Sequence, residues 1–178
     1  MNHLFQEVEE ARRGFIDAVS GLSAQQYRYK PAPDQWAILD IAEHMVWAER
    51  IGVNGMWKAL EGIKNGEPIW EGTPTHGGRS IEEVVELTWQ TKEKVPEVAK
   101  PRWGGALDFW IEALKACQPL LAALEVALAD YDPAKIIYPH PISGPLNVLQ
   151  RIEFLRFHLN RHQAQVERIK SAPAFPTT

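Results

Sequence analysis

The sequence has very little cysteine and no long apolar run. Cys117 is the single cysteine among 178 residues, which excludes an internal disulfide and is compatible with a reducing compartment. No stretch approaches the ~20 apolar residues that cross a bilayer, and even residues 120–129 are interrupted by Glu125. Residues 1–13 carry several charges and lack the apolar centre of a signal peptide. We therefore expect a soluble, cytoplasmic protein that does not span a membrane.

The sequence also lacks an excess of positive charge and several catalytic signatures. Its formal net charge is −4 at pH 7, which gives no reason to expect nucleic acid or a membrane surface as a partner. The zinc-protease pattern His-Glu-x-x-His, the Glu-x-x-His pair of di-iron bundles, the Gly-x-Ser-x-Gly elbow and a glycine-rich phosphate loop are absent. The sequence therefore gives no motif support for a zinc protease, a di-iron protein, a serine hydrolase or a nucleotide-binding protein.

Four long stretches have the three-and-four spacing of apolar residues that is typical of amphipathic helices. We predict helices over residues 2–21, 36–64, 107–128 and 145–172. Asp34 is the expected N-cap of the second helix, Pro119 marks a kink in the third, and Pro145 suits the first turn of the fourth. No segment has the pattern of a β-strand. We therefore expect residues 1–178 to form one all-α domain, a four-helix bundle.

The second and third predicted helices are separated by residues 65–105, which contain many glycines and prolines. Within this segment, the capping box Ser80–Glu83 predicts a short helix that ends near Val95. A connection of this length is too long for a simple hairpin between antiparallel helices. It favours a long crossover between two helices that run in the same direction.

His158 and His162 lie four residues apart in the last predicted helix. Side chains at this spacing are rotated by about 40° and lie one turn apart, so both imidazoles project to one side. His162 falls in the gap of an apolar stripe, and His158 borders it. The stripe consists of Leu155, Leu159, Val166 and Ile169. Because a buried polar group without a partner costs roughly 1–3 kcal/mol, each imidazole needs a metal ion or a protein acceptor.

A third histidine, His44, lies in the apolar stripe of the second predicted helix. If that helix neighbours the last one, three neutral imidazoles meet, and such a set holds Zn²⁺, Ni²⁺ or Fe²⁺ with at least one coordination position open. Three separately hydrogen-bonded histidines are the alternative, and spacing alone does not decide between them. Asp40, one turn before His44, would orient an imidazole or lie at the solvated surface. His140 precedes the last helix and would overhang the site or form an ordinary turn.

Two segments resemble the DinB-like superfamily. In residues 33–44, Trp36 precedes an Ile/Leu-rich turn that ends in His44. Residues 140–146, His-Pro-Ile-Ser-Gly-Pro-Leu, followed by the pattern His158-x-x-Arg161-His162-x-x-Gln165, are similar to that family's final loop and helix. The order of the segments matches along the whole chain, although Ala37 stands where the family often has serine or threonine.

This resemblance implies a bundle with up-down-down-up topology and a divalent metal ion held by His44, His158 and His162. Characterised members of the family include S-transferases and an isomerase that use low-molecular-weight thiols, and others are described as metal-dependent hydrolases. The resemblance therefore implies a metal-dependent enzyme, with a thiol as a cosubstrate. A metal ion that binds a thiol lowers its pKa toward the reactive thiolate.

Thiol S-transfer is accordingly our first hypothesis. Asp40 and Gln165 are candidates for orienting the ligand rings, and Tyr27 and His140 are candidates for lining the pocket of a small-molecule substrate. Metal-dependent hydrolysis ranks second, because the sequence offers no clear general base near the site. A non-enzymatic bundle that binds a metal ion or a small ligand is the third hypothesis. The apolar seams of the first and third helices also leave a homodimer open.

Overall fold

The computed structural model of the chain describes residues 2–90 and 95–177. In chain order, this part of the chain forms α1 (Asn2–Val19), α2 (Ala24–Arg28), α3 (Ile38–Lys64), α4 (Ile81–Thr88), a 3₁₀ turn (Glu97–Ala99), α5 (Leu107–Lys115), α6 (Cys117–Ala127), β1 (Ile137–His140), β2 (Gly144–Asn147) and α7 (Val148–Lys170). The chain is mostly helical, as the sequence predicted. Among these helices, none combines the length and apolar character that crossing a membrane requires.

The main core lies where α1 packs along α7 and where α3 contacts α5, α6 and α7. Its largest fully buried side chains include Phe15, Ile41, Met45, Trp110 and Leu121. A second, smaller cluster joins α4 to β2 and α7 through Ile81, Val84, Val85, Leu146 and Phe154. The apolar stripes of the sequence therefore face inward, and the packing of α3 on α7 brings the histidine-bearing helices together.

The predicted N-cap of the second helix was wrong. The helix α3 begins at Ile38, and its N-cap is Ala37, whose N–H donates to the Asp40 carboxylate over 2.9 Å. Asp34 instead lies in a turn in which the Gln35 N–H donates to the Ala32 carbonyl. The acidic residue that stabilises this helix start therefore acts from the first turn and not from the cap position.

The third predicted helix is divided into α5 and α6 at Ala116. Pro119 has no N–H to donate to the carbonyl of Lys115, and its ring excludes a continuous helix at that point. Because α6 begins at Cys117, Pro119 falls in a first turn, where a missing N–H is tolerated. The expected kink is thus a break between two helices.

The absence of β-strands was also predicted wrongly, because β1 and β2 form a short antiparallel hairpin. The Val148 N–H donates to the Ile136 carbonyl, and the alternating ladder then places Pro139 opposite Pro145 in a pair that needs no N–H. Pro145 is therefore in β2 and not in the last helix. That helix begins at Val148 with Asn147 as its N-cap.

Two short helices, α4 and α2, accompany the long ones. The Ser80–Glu83 capping box is confirmed, and α4 ends at Thr88, since Trp89 has an extended backbone. The rest of the predicted helix includes residues 91–94, which lie outside the described residues. Residues 24–28 form α2, a short helix that the sequence pattern did not predict. A five-residue helix with one capping box is too short to give an apolar period.

Candidate metal centre

Three histidine side chains from α3 and α7 converge on one point. The Nε2 atom of His158 lies 3.3 Å from Nε2 of His44 and 3.1 Å from Nε2 of His162. Metal-ligating atoms of all three residues lie within 4.8 Å of one another. The residues come from helices that pack together, and the pair in α7 is separated by one helical turn. This arrangement is the one that a tri-histidine metal site requires.

The opposite ring nitrogens of two of these histidines have hydrogen-bond acceptors. The Nδ1–H of His44 donates to the Ala99 carbonyl over 2.7 Å, and the Nδ1–H of His162 donates to Oε1 of Gln165 over 2.9 Å. A neutral imidazole carries one proton, so Nε2 of each of these two rings presents a lone pair. This is how ligating histidines are usually oriented in metal sites.

The lone pairs provide a test of whether a cation fits this site. His158 Nε2 lies between the other two Nε2 atoms and has at most one proton to donate. At least one lone pair of His44 or His162 therefore lacks a hydrogen-bond donor from this cluster. A buried lone pair without a donor is costly, whereas a metal ion satisfies all three nitrogens at once. The donor set fits a divalent cation.

Burial keeps all three rings neutral. His44 is 3% exposed, and His158 and His162 are each 7% exposed. Burial lowers the pKa of His162 to about 3, with the neighbouring His44 as a further cause. Burial likewise lowers the pKa of His44 and, with the adjacent rings, lowers that of His158 far below its ordinary value. The neutral form, which binds metals, is therefore the form at neutral pH.

Aromatic side chains hold two of the ligand rings. Phe154, one turn before His158, stacks on it with ring centres 5.3 Å apart and an angle of 19° between the planes. Trp36 lies against His44 at 5.0 Å. These contacts limit the rotation of the imidazoles, so the Nε2 atoms are preorganised.

Glu43 anchors the loop that carries the acceptor of His44. Its carboxylate accepts hydrogen bonds from the N–H groups of Arg102, Trp103 and Gly104 and from the indole of Trp47. Burial alone would raise the pKa of Glu43, but these four donors lower it below its ordinary value. Sequence reasoning missed this role, because a glutamate that binds backbone amides of a distant loop has no spacing signature.

A cavity of about 140 Å³ opens beside the three histidines. Most of its wall is apolar, with Met45, Ile51, Phe154, Leu155 and Leu159 among the lining residues. His140, Glu49 and Arg151 also line it. A tri-histidine site with a cavity at its side has room for a water molecule or a substrate, and this feature is typical of catalytic sites.

His140 is part of this cavity wall. Its Nδ1 atom accepts the N–H groups of Ile142 at 3.2 Å and Ser143 at 3.1 Å, so the ring proton is on Nε2. The ring packs on Phe154 at 4.4 Å and on Trp89 at 6.0 Å. The sequence left open an overhang or a turn residue, and His140 combines a turn-stabilising bond with a place in the cavity.

The other predicted residues have separate positions. Gln165 contacts His162 and accepts its Nδ1–H. Asp40 binds the Ala37 amide and pairs with Lys30, and the acceptor for His44 is instead a backbone carbonyl. Tyr27 lies in α2 against the main core and is not among the described residues that line the cavity.

Comparisons with known proteins identify the family of the chain. A sequence profile of the DinB superfamily matches residues 7–166, so the chain belongs to that family. The chain is also 28% identical over 169 residues to a Bacillus subtilis protein, the uncharacterized protein YuaE, and the match covers 90% of this chain and 93% of YuaE. No solved structure matches the chain significantly.

Proposed function

We propose that this protein is a metal-dependent enzyme in which His44, His158 and His162 hold one divalent ion, and that it transfers a low-molecular-weight thiol to a small electrophile. The observation that carries the metal is the convergence of three Nε2 atoms, two of which present lone pairs because their Nδ1–H groups are bonded elsewhere. Zn²⁺, Ni²⁺ and Fe²⁺ all suit three imidazoles, and supply in the cell decides among them.

A bound divalent ion would supply a Lewis acid that lowers the pKa of a thiol. The chain's own residues would orient the ligands, through Ala99 and Gln165, and exclude bulk water through the apolar cavity wall. His140 carries its ring proton on Nε2 and is a candidate donor to a bound substrate. In the transfer, the thiol sulfur forms a bond to the electrophilic carbon, the leaving group departs with the electrons of its bond, and the thiol proton passes to solvent.

Hydrolysis is the second candidate, and one observation favours it. Glu49 lines the cavity, its Oε2 atom has no hydrogen-bond partner among the described residues, and burial raises its pKa. A carboxylate with a raised pKa is a candidate general base. Its Oε1 atom, however, is bound by Arg12 across the bundle, which favours a structural role.

We also propose that α1, α3, α5–α6 and α7 run in the up-down-down-up order that the family resemblance implies.

The first experiment measures metal content. Elemental analysis of the purified protein should find about one equivalent of a divalent metal, and His162→Ala should retain little. His3→Ala is the matched control, because His3 is exposed and lies far along the chain from the site. Equal metal content in the parent and in His162→Ala would contradict the metal centre.

The second experiment measures the reaction. Consumption of glutathione, bacillithiol and mycothiol is followed in parallel with a chloro-dinitroarene as the electrophile, before and after removal of the metal by a chelator. We expect a metal-dependent rate with at least one thiol. If metal is present but none of the three thiols is consumed, S-transfer is contradicted, and ester and amide substrates test hydrolysis.

A further inference from the structure

A buried arginine without an acidic partner lies in the wall of the same cavity. Arg151 is 5% exposed, and its Nε and Nη1 atoms have no hydrogen-bond acceptor among the described residues. Its guanidinium packs on the ring of Tyr138 at 4.5 Å, and it lines the cavity together with His158. Burial lowers the pKa of Arg151 to about 10, so it remains positively charged at neutral pH.

The lack of an acidic partner distinguishes Arg151 from Arg12, the other buried arginine among the described residues. Arg12 is also buried, at 3% exposure, but its guanidinium is bonded to the Glu49 carboxylate. A buried charge without a counter-charge is strongly unfavourable. Arg151 also lies in the first turns of α7, where the positive end of the helix dipole disfavours a cation. Stability alone therefore does not explain an arginine at this position.

The surroundings of Arg151 place it on the same side of α7 as the metal ligands. Arg151 precedes His158 by seven residues, two helical turns or about 10 Å along the axis. Phe154 lies between them, 5.8 Å from the guanidinium carbon and 5.3 Å from the His158 ring centre. A small molecule in the cavity can thus lie against Phe154 with one end near each group.

Two glycines of α3 lie where Tyr138, Leu155 and Arg151 pack against this helix. A Cβ atom at Gly55 would lie 1.9 Å from the Tyr138 ring, and one at Gly52 would lie 3.2 Å from Leu155 and 3.9 Å from Nη2 of Arg151. The absence of a side chain at Gly55 lets Tyr138 fill the space beside α3, and the Arg151 guanidinium packs on that ring at 4.5 Å. The position of the guanidinium is therefore supported by neighbouring residues on two other elements.

We propose that Arg151 binds the carboxylate of a small, apolar substrate whose other end reaches the three-histidine site. One guanidinium matches one carboxylate in charge and in planar hydrogen-bonding geometry. The apolar wall suits a hydrocarbon body, and a volume of about 140 Å³ is close to that of an apolar cavity known to admit benzene. This inference rests on the proposed function for the use of the cavity, and it adds the chemical class of the substrate.

The test compares benzoate with benzamide, which has the same shape and no charge. Calorimetric titration of the metal-stripped protein should show benzoate binding at least about tenfold more tightly than benzamide. Arg151→Met should abolish this preference while the unfolding temperature stays near that of the parent, since methionine fills a similar space without a charge. Arg168→Met is the matched control, because it removes one charge from an exposed position of the same helix and should keep the preference.

Several results would overturn the assignment. They are an equal preference for benzoate in Arg151→Met, no preference in the parent, or tighter binding of phenyl phosphate than of benzoate. If Arg151→Met does not fold, Arg151→Lys replaces it and should weaken the preference, because lysine keeps the charge but lacks the planar fork.

The same titrations separate this inference from the metal centre. Benzoate preference in a protein that binds no metal would support the role of Arg151 while the metal proposal fails. Benzoate binding that needs metal and is unchanged by Arg151→Met would overturn the role of Arg151 while the metal proposal stands.

Discussion

Glu43 and His44 are consecutive residues of α3 that hold two parts of the same loop. His44 donates to the Ala99 carbonyl over 2.7 Å, and Glu43 accepts the N–H groups of residues 102–104. Neighbouring side chains on a helix point about 100° apart, so His44 reaches the three-histidine cluster and Glu43 reaches the loop beyond it. The loop that orients a candidate ligand is therefore fixed by the residue next to that ligand.

This relationship predicts the effect of Glu43→Gln. The amide group would replace one acceptor oxygen with N–H donors that face other N–H donors, and we expect a loss of about 1–3 kcal/mol in the free energy of unfolding. Because the Ala99 carbonyl would be held less firmly, metal affinity should fall as well. Urea unfolding and competition with a chelator measure the two effects. Glu61→Gln, at an exposed position of the same helix, should change neither.

The lowered pKa of Glu43 also predicts that the stability of the protein depends on pH. The pKa of Glu43 is lower in the folded protein than in the unfolded chain, where glutamate titrates near ~4.3. Its contribution to stability is therefore present above that value and is lost as the pH falls through the folded pKa. The parent should lose stability more steeply than Glu43→Gln below about pH 4.5. Parallel curves for the two proteins would show that the amide donors do not stabilise the charged form.

Gly55 and Gly52 provide a matched pair of substitutions on α3. Gly55→Ala places a methyl group 1.9 Å from the Tyr138 ring, so the ring must move, and we expect a loss of about 1–3 kcal/mol in stability. Gly52→Ala meets a methyl group of Leu155 at 3.2 Å and Nη2 of Arg151 at an ordinary 3.9 Å, and the higher helix propensity of alanine offsets most of the leucine contact. Thermal unfolding compares them. A more stable Gly55→Ala protein would contradict the close packing of β1 on α3.

Gln165 is expected to affect metal affinity without binding the metal. Gln165→Leu removes the acceptor of the His162 Nδ1–H and should lower metal affinity by about 10- to 100-fold. Gln165→Glu keeps an acceptor and should restore most of that affinity. Competition with a chromophoric chelator measures both variants. If Gln165→Leu binds metal as tightly as the parent does, the orientation of His162 must depend on its packing.

The parts of the structure that the sequence predicted are those encoded by local spacing. The pair His158 and His162 and the apolar stripes around it follow from a helical period of 3.6 residues, as does the inward position of His44. The acceptor at Ala99 is a backbone carbonyl 55 residues away in the chain from its partner, and it leaves no trace in the identity of a side chain. Arg151 went unnoticed for a related reason. Arginine is ordinarily exposed, and only its position between α3 and the hairpin makes it buried.

The lowered pKa of His140 predicts a second effect of pH on stability, and the variant His140→Asn isolates it. Burial, and to a smaller extent repulsion from Arg151, lowers the pKa of His140 to about 3, and protonation of Nδ1 would break its bonds to the Ile142 and Ser143 amides. A histidine of the unfolded chain titrates near ~6.5. Between these values the unfolded state binds more protons, so this stabilisation is complete above about pH 6.5 and declines as the pH falls toward 3.

The slope from this one residue approaches about 1.4 kcal/mol per pH unit. In His140→Asn, the side-chain oxygen keeps an acceptor for the two amides but does not titrate. Urea unfolding of the metal-stripped proteins at pH 7, 6 and 5 should therefore show a shallower decline for the variant. His44, His158 and His162 are common to both proteins, so most of their contribution cancels, apart from the part of the lowered His158 pKa that is due to His140. Equal slopes would mean that His140 stays neutral in the unfolded chain as well, or that its ring is accessible to protons in the folded protein.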